Sequence, residues 1–96
     1  MAAKAKAQKQ PADLPLADRW LPVFNAWIRF THAHQQLGLS SSMAAMRRFL
    51  AQHGQHLQER GVLAKVAGKV WLADITRFND AAFLTAIGRG DEVKPN

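Results

Sequence analysis

A chain of 96 residues is one domain's worth of polypeptide, and with 48% hydrophobic residues, three Trp and five Phe it can build one modest core. Thirteen Lys and Arg against seven Asp and Glu give a net charge of +6 and a pI near 10.6, so the partner to expect is a polyanion, nucleic acid foremost. The absence of cysteine excludes a disulfide framework, a thiolate metal site and thiol catalysis, and no apolar run approaches the roughly 18 to 20 residues that span a bilayer.

The N-terminal residues 1–12 contain Ala, Lys and Gln with one Pro and no acid. They read as a disordered basic arm in which Lys4, Lys6 and Lys9 could run along phosphates, or as a solubilising tail with no task. The lysines are not followed by an apolar block, so this is not a secretory signal, and the expected location is cytoplasmic.

A folded domain is expected over 13–89. Its first helix is read from about Asp18 to Gln36, because Trp20, Phe24, Trp27 and Ile28, with Leu21 beside them, recur at helical spacing. Pro22 is tolerated in a first turn, so the helix starts either at Asp18 or at Leu21–Pro22, and the polar run His32–Gln36 marks a break near Thr31. Gly38 signals a turn. Trp20 and Trp27 serve either the core or a dimer interface.

Ser40, Ser41 and Ser42 open a second helix, since a serine hydroxyl can accept a bond from an orphan N–H of the first turn. It is expected to run to about Gln52 and to end at Gly54. On a helical projection Met43, Met46, Phe49 and Leu50 share one side, Ser41, Ala44, Arg48 and Gln52 the other, and Arg47 the border.

From Val62 to Ala73 two apolar, β-prone runs flank Gly68-Lys69, the pattern of a β-hairpin. Val62, Ala64 and Val66 alternate on one face of its first strand, and Val70 and Leu72 on one face of the second. A last helix is expected to be capped by Asp74, anchored by Ile75 and stopped at Gly88, with Phe78, Ala82, Phe83 and Ile87 on its apolar side. Residues 90–96 read as a disordered tail.

The order helix, turn, Ser-capped helix, hairpin, helix gives the expected fold class: mainly α with a β-hairpin, as a winged helix-turn-helix. That architecture offers its second helix to the major groove and its hairpin to the flanking phosphates. Ser41, Ala44 and Arg48 would then face base edges, with Gln52 on the same side. Arg47, Lys65 and Lys69 would hold phosphates. Between Arg29 and Ala73 there are six Lys or Arg and one acid, Glu59.

The motifs also have a family likeness. A helix-opening Ser40–Ser42, Arg47-Arg48 one to two turns in, Arg60-Gly61 before an apolar strand, a hairpin over Val66–Lys69, and Trp71-Leu72-Ala73-Asp74 followed by Phe78 occur in this order. The stretch from Leu37 to about Ala86 thereby resembles the small winged-helix proteins of the excisionase and MerR type, found on phages and integrative elements. The resemblance implies double-stranded DNA as ligand, a role in transcription regulation or as an accessory in recombination, and Arg47, Arg48 and the Lys69 turn as contacts. A second copy or a neighbouring DNA-bound protein would be the additional partner. Residues 52–59 form a longer link than such proteins have, and the first helix is unusually aromatic. The competing reading is a protein-interaction module, an adaptor or antitoxin-like inhibitor, docking through that aromatic helix.

Other chemistry is weakly represented. The pairs His32/His34 and His53/His56 do not make a four-ligand zinc site without cysteine. The serine run lacks a nucleophile elbow, a base and an orienter. No phosphate-cradling Gly loop is present. No enzyme activity, cofactor or metal is expected.

Overall fold

The computed structural model describes residues 15–95; the basic arm with Lys4, Lys6 and Lys9 lies outside them. The described residues form three α-helices and one three-stranded antiparallel sheet, a mixed α/β fold. After a 3-10 turn over Leu16–Arg19 come strand β1 (Trp20–Pro22), helix α1 (Val23–Ala33), a second 3-10 turn (Gln35–Leu37), helix α2 (Met43–Glu59), strands β2 (Leu63–Val66) and β3 (Val70–Asp74), and helix α3 (Phe78–Ala86). The sheet order is β1-β3-β2. No helix among the described residues is long and apolar enough to cross a membrane.

The first expected helix is therefore split. Trp20, Leu21 and Pro22 pair with Asp74, Ala73 and Leu72 of β3, and the Ile75 N–H donates to the Arg19 carbonyl at 2.8 Å. Pro22 is tolerable there because β1 is an edge strand, where a missing donor breaks no ladder. Three residues ending in proline carry no period-2 signal of their own. They are strand because β3 lies beside them.

Helix α2 overruns its expected end at Gly54 by more than a turn. Gly54 sits inside the helix and is buried, and the Trp71 ring lies against it: a Cβ placed on Gly54 would stand 3.6 Å from Trp71 Cη2 and Cζ2. Leu57, fully buried, continues the apolar row begun by Phe49. The stop is Gly61, whose φ of 78° permits the closing pair of bonds from Gly61 N–H to Gln58 O and Val62 N–H to Leu57 O, at 3.0 and 2.9 Å. The expected link over 52–59 is thus helix. Because an added methyl at Gly54 meets Trp71 at ordinary contact distance, Gly54→Ala should raise stability by about 0.5–1 kcal/mol through helix propensity, read as a higher urea midpoint. Gly54→Leu should lower it by displacing the indole.

The hairpin forms where expected, as the antiparallel pair β2 and β3, and Val62 at its entry is fully buried. Leu63 and Ala73 face the core, whereas Val66 and Val70 are 48% and 52% exposed. A nearly continuous apolar run carries no alternation from which to choose a phase. At the tip Ala67 and Gly68 have φ of 54° and 70°, and the Lys69 N–H donates to Val66 O at 3.0 Å. Positive φ at both central positions suits Asn-Gly far better than Ala-Gly, since a left-handed alanine costs roughly 1–2 kcal/mol. Ala67→Asn should therefore raise Tm by a few degrees without altering the hairpin.

Asp74 does not cap α3. Its Oδ1 accepts from the Thr76 N–H at 3.0 Å and the Thr76 hydroxyl at 2.6 Å, closing the turn that leads to the helix, whose own N-cap is Arg77. Gly88 ends α3 as expected, with φ 84° and bonds from Gly88 N–H to Thr85 O and Arg89 N–H to Leu84 O. Ile87, counted on the apolar side, is 43% exposed; Ala81 takes the inward place instead. Residues 90–95 are folded back rather than loose. Val93 is 3% exposed, the Arg60 guanidinium donates to its carbonyl at 2.9 Å, and His56 Nε2 lies 2.7 Å from Gly90 O.

The core is aromatic. Trp27 and Phe30 of α1 are interior, and Phe30 meets Trp27, Phe49 and Phe78 with ring centroids 5.6, 6.4 and 5.9 Å away. The aromatic face of the first helix is spent on packing. Trp20 is half-buried at the sheet edge.

Candidate nucleic-acid interface

The serine run sets where α2 begins. Ser42 is the N-cap, its hydroxyl accepting from the Ala45 N–H at 3.1 Å. Ser40 Oγ accepts from the Ser42 N–H at 3.1 Å, and the buried Trp27 indole donates to the Ser40 carbonyl at 3.0 Å. The turn between α1 and α2 is thereby fixed to the core, and Ser41 is left half-buried within it. Phe49 and Met46 anchor α2 from beneath.

Turned outward from α2 are Ala44, Arg47, Arg48, Ala51, Gln52, Gln55, Gln58 and Glu59, all exposed. With successive residues about 100° apart, Ala44, Ala51 and Gln55 form the middle of this face. Arg47 and Arg48 flank it on opposite sides. Arg48, expected among the base-facing residues with Gln52, borders a hollow with Ser40 and Gln52. Arg47 faces the hairpin. It lines one groove together with Lys69, formed by α2, the start of α1 and β3. The sequence placed Arg47 on a border and could not say which neighbour it faced.

Lys65 and Lys69 are both exposed on the hairpin. Lys65 Nζ stands 4.9 Å from the Trp71 ring centroid, over the electron-rich face of the indole, whose quadrupole attracts the ammonium. This stiffens the strand and leaves an ammonium at the surface. Gln55 and Gln58 were missed because the helix was ended early; the signal that could have recovered them was Leu57, eight residues after Phe49.

Three arginines elsewhere, Arg60, Arg77 and Arg89, are engaged. Arg60 donates to Val93 O and Arg77 to Arg60 O. Arg89 forks onto Glu92 through bonds of 2.5 and 2.9 Å, and the hydrogen bond and charge of Glu92 raise its pKa above the ordinary arginine value. Asp80, Asp91 and Glu92 belong to α3 and the following turn. Arg60, counted among the cations between Arg29 and Ala73, is therefore a structural residue.

The histidines are dispersed. His34 packs between Phe30 and Phe83, and His53 on Phe49. Among the described residues no three His, Asp or Glu side chains gather as a metal site. The chain matches no family model, and neither a curated protein nor a solved structure was found to be similar to it.

Proposed function

We propose that this chain is a double-stranded DNA-binding protein of winged helix-turn-helix type, acting as a transcription regulator or as a recombination or architectural accessory of a mobile element. The observation that carries the reading is the exposed face of α2, bearing Arg47 and Arg48 on its two flanks, beside a hairpin whose Lys69 shares a groove with Arg47. A helix entering the major groove needs a slim centre and cations at its edges, where the two phosphate strands pass. Ala44, Ala51 and Gln55 supply the first and the two arginines the second. The pairing of β1 with β3 supports the reading too, because it holds the hairpin against the helix pair α1–α2.

In this arrangement Arg47, Arg48, Lys65 and Lys69 hold phosphates. Ala44, Gln52 and Gln55 lie nearest base edges, where an amide can engage adenine N6 and N7.

Anisotropy titrations with a labelled random duplex at two salt concentrations test the proposal. With about four phosphate contacts, log affinity should fall with log salt at a slope near −4, roughly a hundredfold loss between 50 and 200 mM. Failure to bind at low salt would refute it.

A further inference from the structure

The groove that joins Arg47 to Lys69 has a floor that DNA does not need. It encloses about 600 Å³ and is lined by Phe24, Met43, Leu50 and Trp71 as well as the two cations. Phosphate backbones are held by charge and hydrogen bonds, and a floor of thioether, isobutyl and indole offers them neither. Large apolar side chains lining it are also exposed: Met43 is 40% and Val70 52% accessible. Contiguous exposed apolar surface of this kind, rimmed by polar groups, is characteristic of protein contacts. The groove is preformed, because the Trp71 ring is fixed by Gly54 behind it and by Lys65 over its face.

Charge decides the occupant. Among the described residues no acid lines the groove. A second copy laid groove to groove would oppose Arg47 and Lys69 to their own equivalents. The first 14 residues of the chain carry Lys4, Lys6 and Lys9 against the single acid Asp13, so they have the same sign as the rim. An occupant with apolar side chains on one face and carboxylates beside them satisfies both features. We propose that this groove seats an acidic amphipathic helix of a partner protein, its Leu or Phe side chains on the Met43–Trp71 floor and its carboxylates on Arg47 and Lys69. Because it occupies two cations assigned above to DNA, such a segment displaces the duplex; this second half rests on the DNA-binding reading, whereas the docking itself does not.

The test uses the full chain and a fluorescein-labelled peptide of roughly 16 residues, with Leu and Phe at helical spacing and Asp and Glu elsewhere, against a scrambled peptide of the same composition. The ordered peptide should bind at least tenfold more tightly than the scrambled one. The pair Met43→Thr and Val70→Thr, both at exposed positions, should weaken peptide binding about tenfold while duplex affinity changes less than twofold. Arg47→Glu with Lys69→Glu should weaken both ligands. Added peptide should release a labelled duplex from the unaltered chain. Equal binding of the scrambled peptide, or an unchanged affinity in the Met43/Val70 variant, overturns the docking. So does a concentration-dependent dimer that this variant dissociates. Peptide binding that leaves the duplex in place overturns the competition. A chain that binds the ordered peptide but no duplex contradicts the DNA reading and supports the docking.

Discussion

Replacement of Arg47 and Arg48 together by Glu is expected to abolish duplex binding at ordinary salt and to leave Tm within about 2 °C of the parent. Neither side chain makes a hydrogen bond or ion pair to another described residue, and both are exposed. Surface changes of this kind shift stability by no more than about 0.5 kcal/mol. Their effect on binding is of another order. Even the double alanine variant should lower the salt slope by about two and affinity by about a hundredfold, because each arginine lost removes one phosphate contact. The glutamates add repulsion to that loss. Anisotropy and thermal denaturation on the same samples separate the outcomes. A variant that unfolds would show that the arginines support the fold and not the interface.

The largest stability effect should come from Phe30→Ala, at about 3–5 kcal/mol. Phe30 is fully buried where all three helices meet, with Trp27 on its own helix, Phe49 on α2 and Phe78 edge-on from α3 at an interplanar angle of 87°. Removing the ring leaves a cavity bounded by other rings, which cannot collapse into it without leaving their own contacts. A domain of this size has a total stability of about 5–10 kcal/mol, so the variant should be partly unfolded at 37 °C. Phe30→Leu should retain most of the loss-free packing volume and cost about 1–2 kcal/mol. Urea denaturation followed by Trp fluorescence reads both. A cost below 1 kcal/mol for the alanine variant would mean that the three helices do not converge on this side chain.

Much of this fold could be read from local signals, and the failures share a cause. The serine cap of α2, the glycine at the hairpin tip and the Gly88 stop are local devices: each acts within four residues, and each is where the sequence indicates. What was misjudged depends on contacts far along the chain. β1 is a strand because β3 accepts it. Gly54 lies inside the helix because Trp71, 17 positions later, packs against it. Val93 is ordered because Arg60 binds its carbonyl. The hairpin's inner face follows from Leu63 and Ala73 meeting the helices, which a run of apolar residues cannot announce.

The candidate site was legible in its residue types and not in its geometry. Arg47, Arg48, Lys65 and Lys69 are all at the surface, as expected of contacts. Because α2 runs to Glu59, Gln55 and Gln58 join Ala44, Ala51 and the two arginines on its exposed face. The count of cations between Arg29 and Ala73 overstated the free charge, since Arg60 is committed to the C-terminal turn.

The central claim is that α2 and the hairpin present one surface to duplex DNA. Backbone amide shifts recorded while a duplex is titrated into isotopically labelled protein address it most directly. The account predicts that the perturbed amides fall within residues 41–58 and 65–70, while those of α3 and residues 89–95 stay in place. Perturbations centred on α3 and the C-terminal turn, or none at all at low salt, would contradict it.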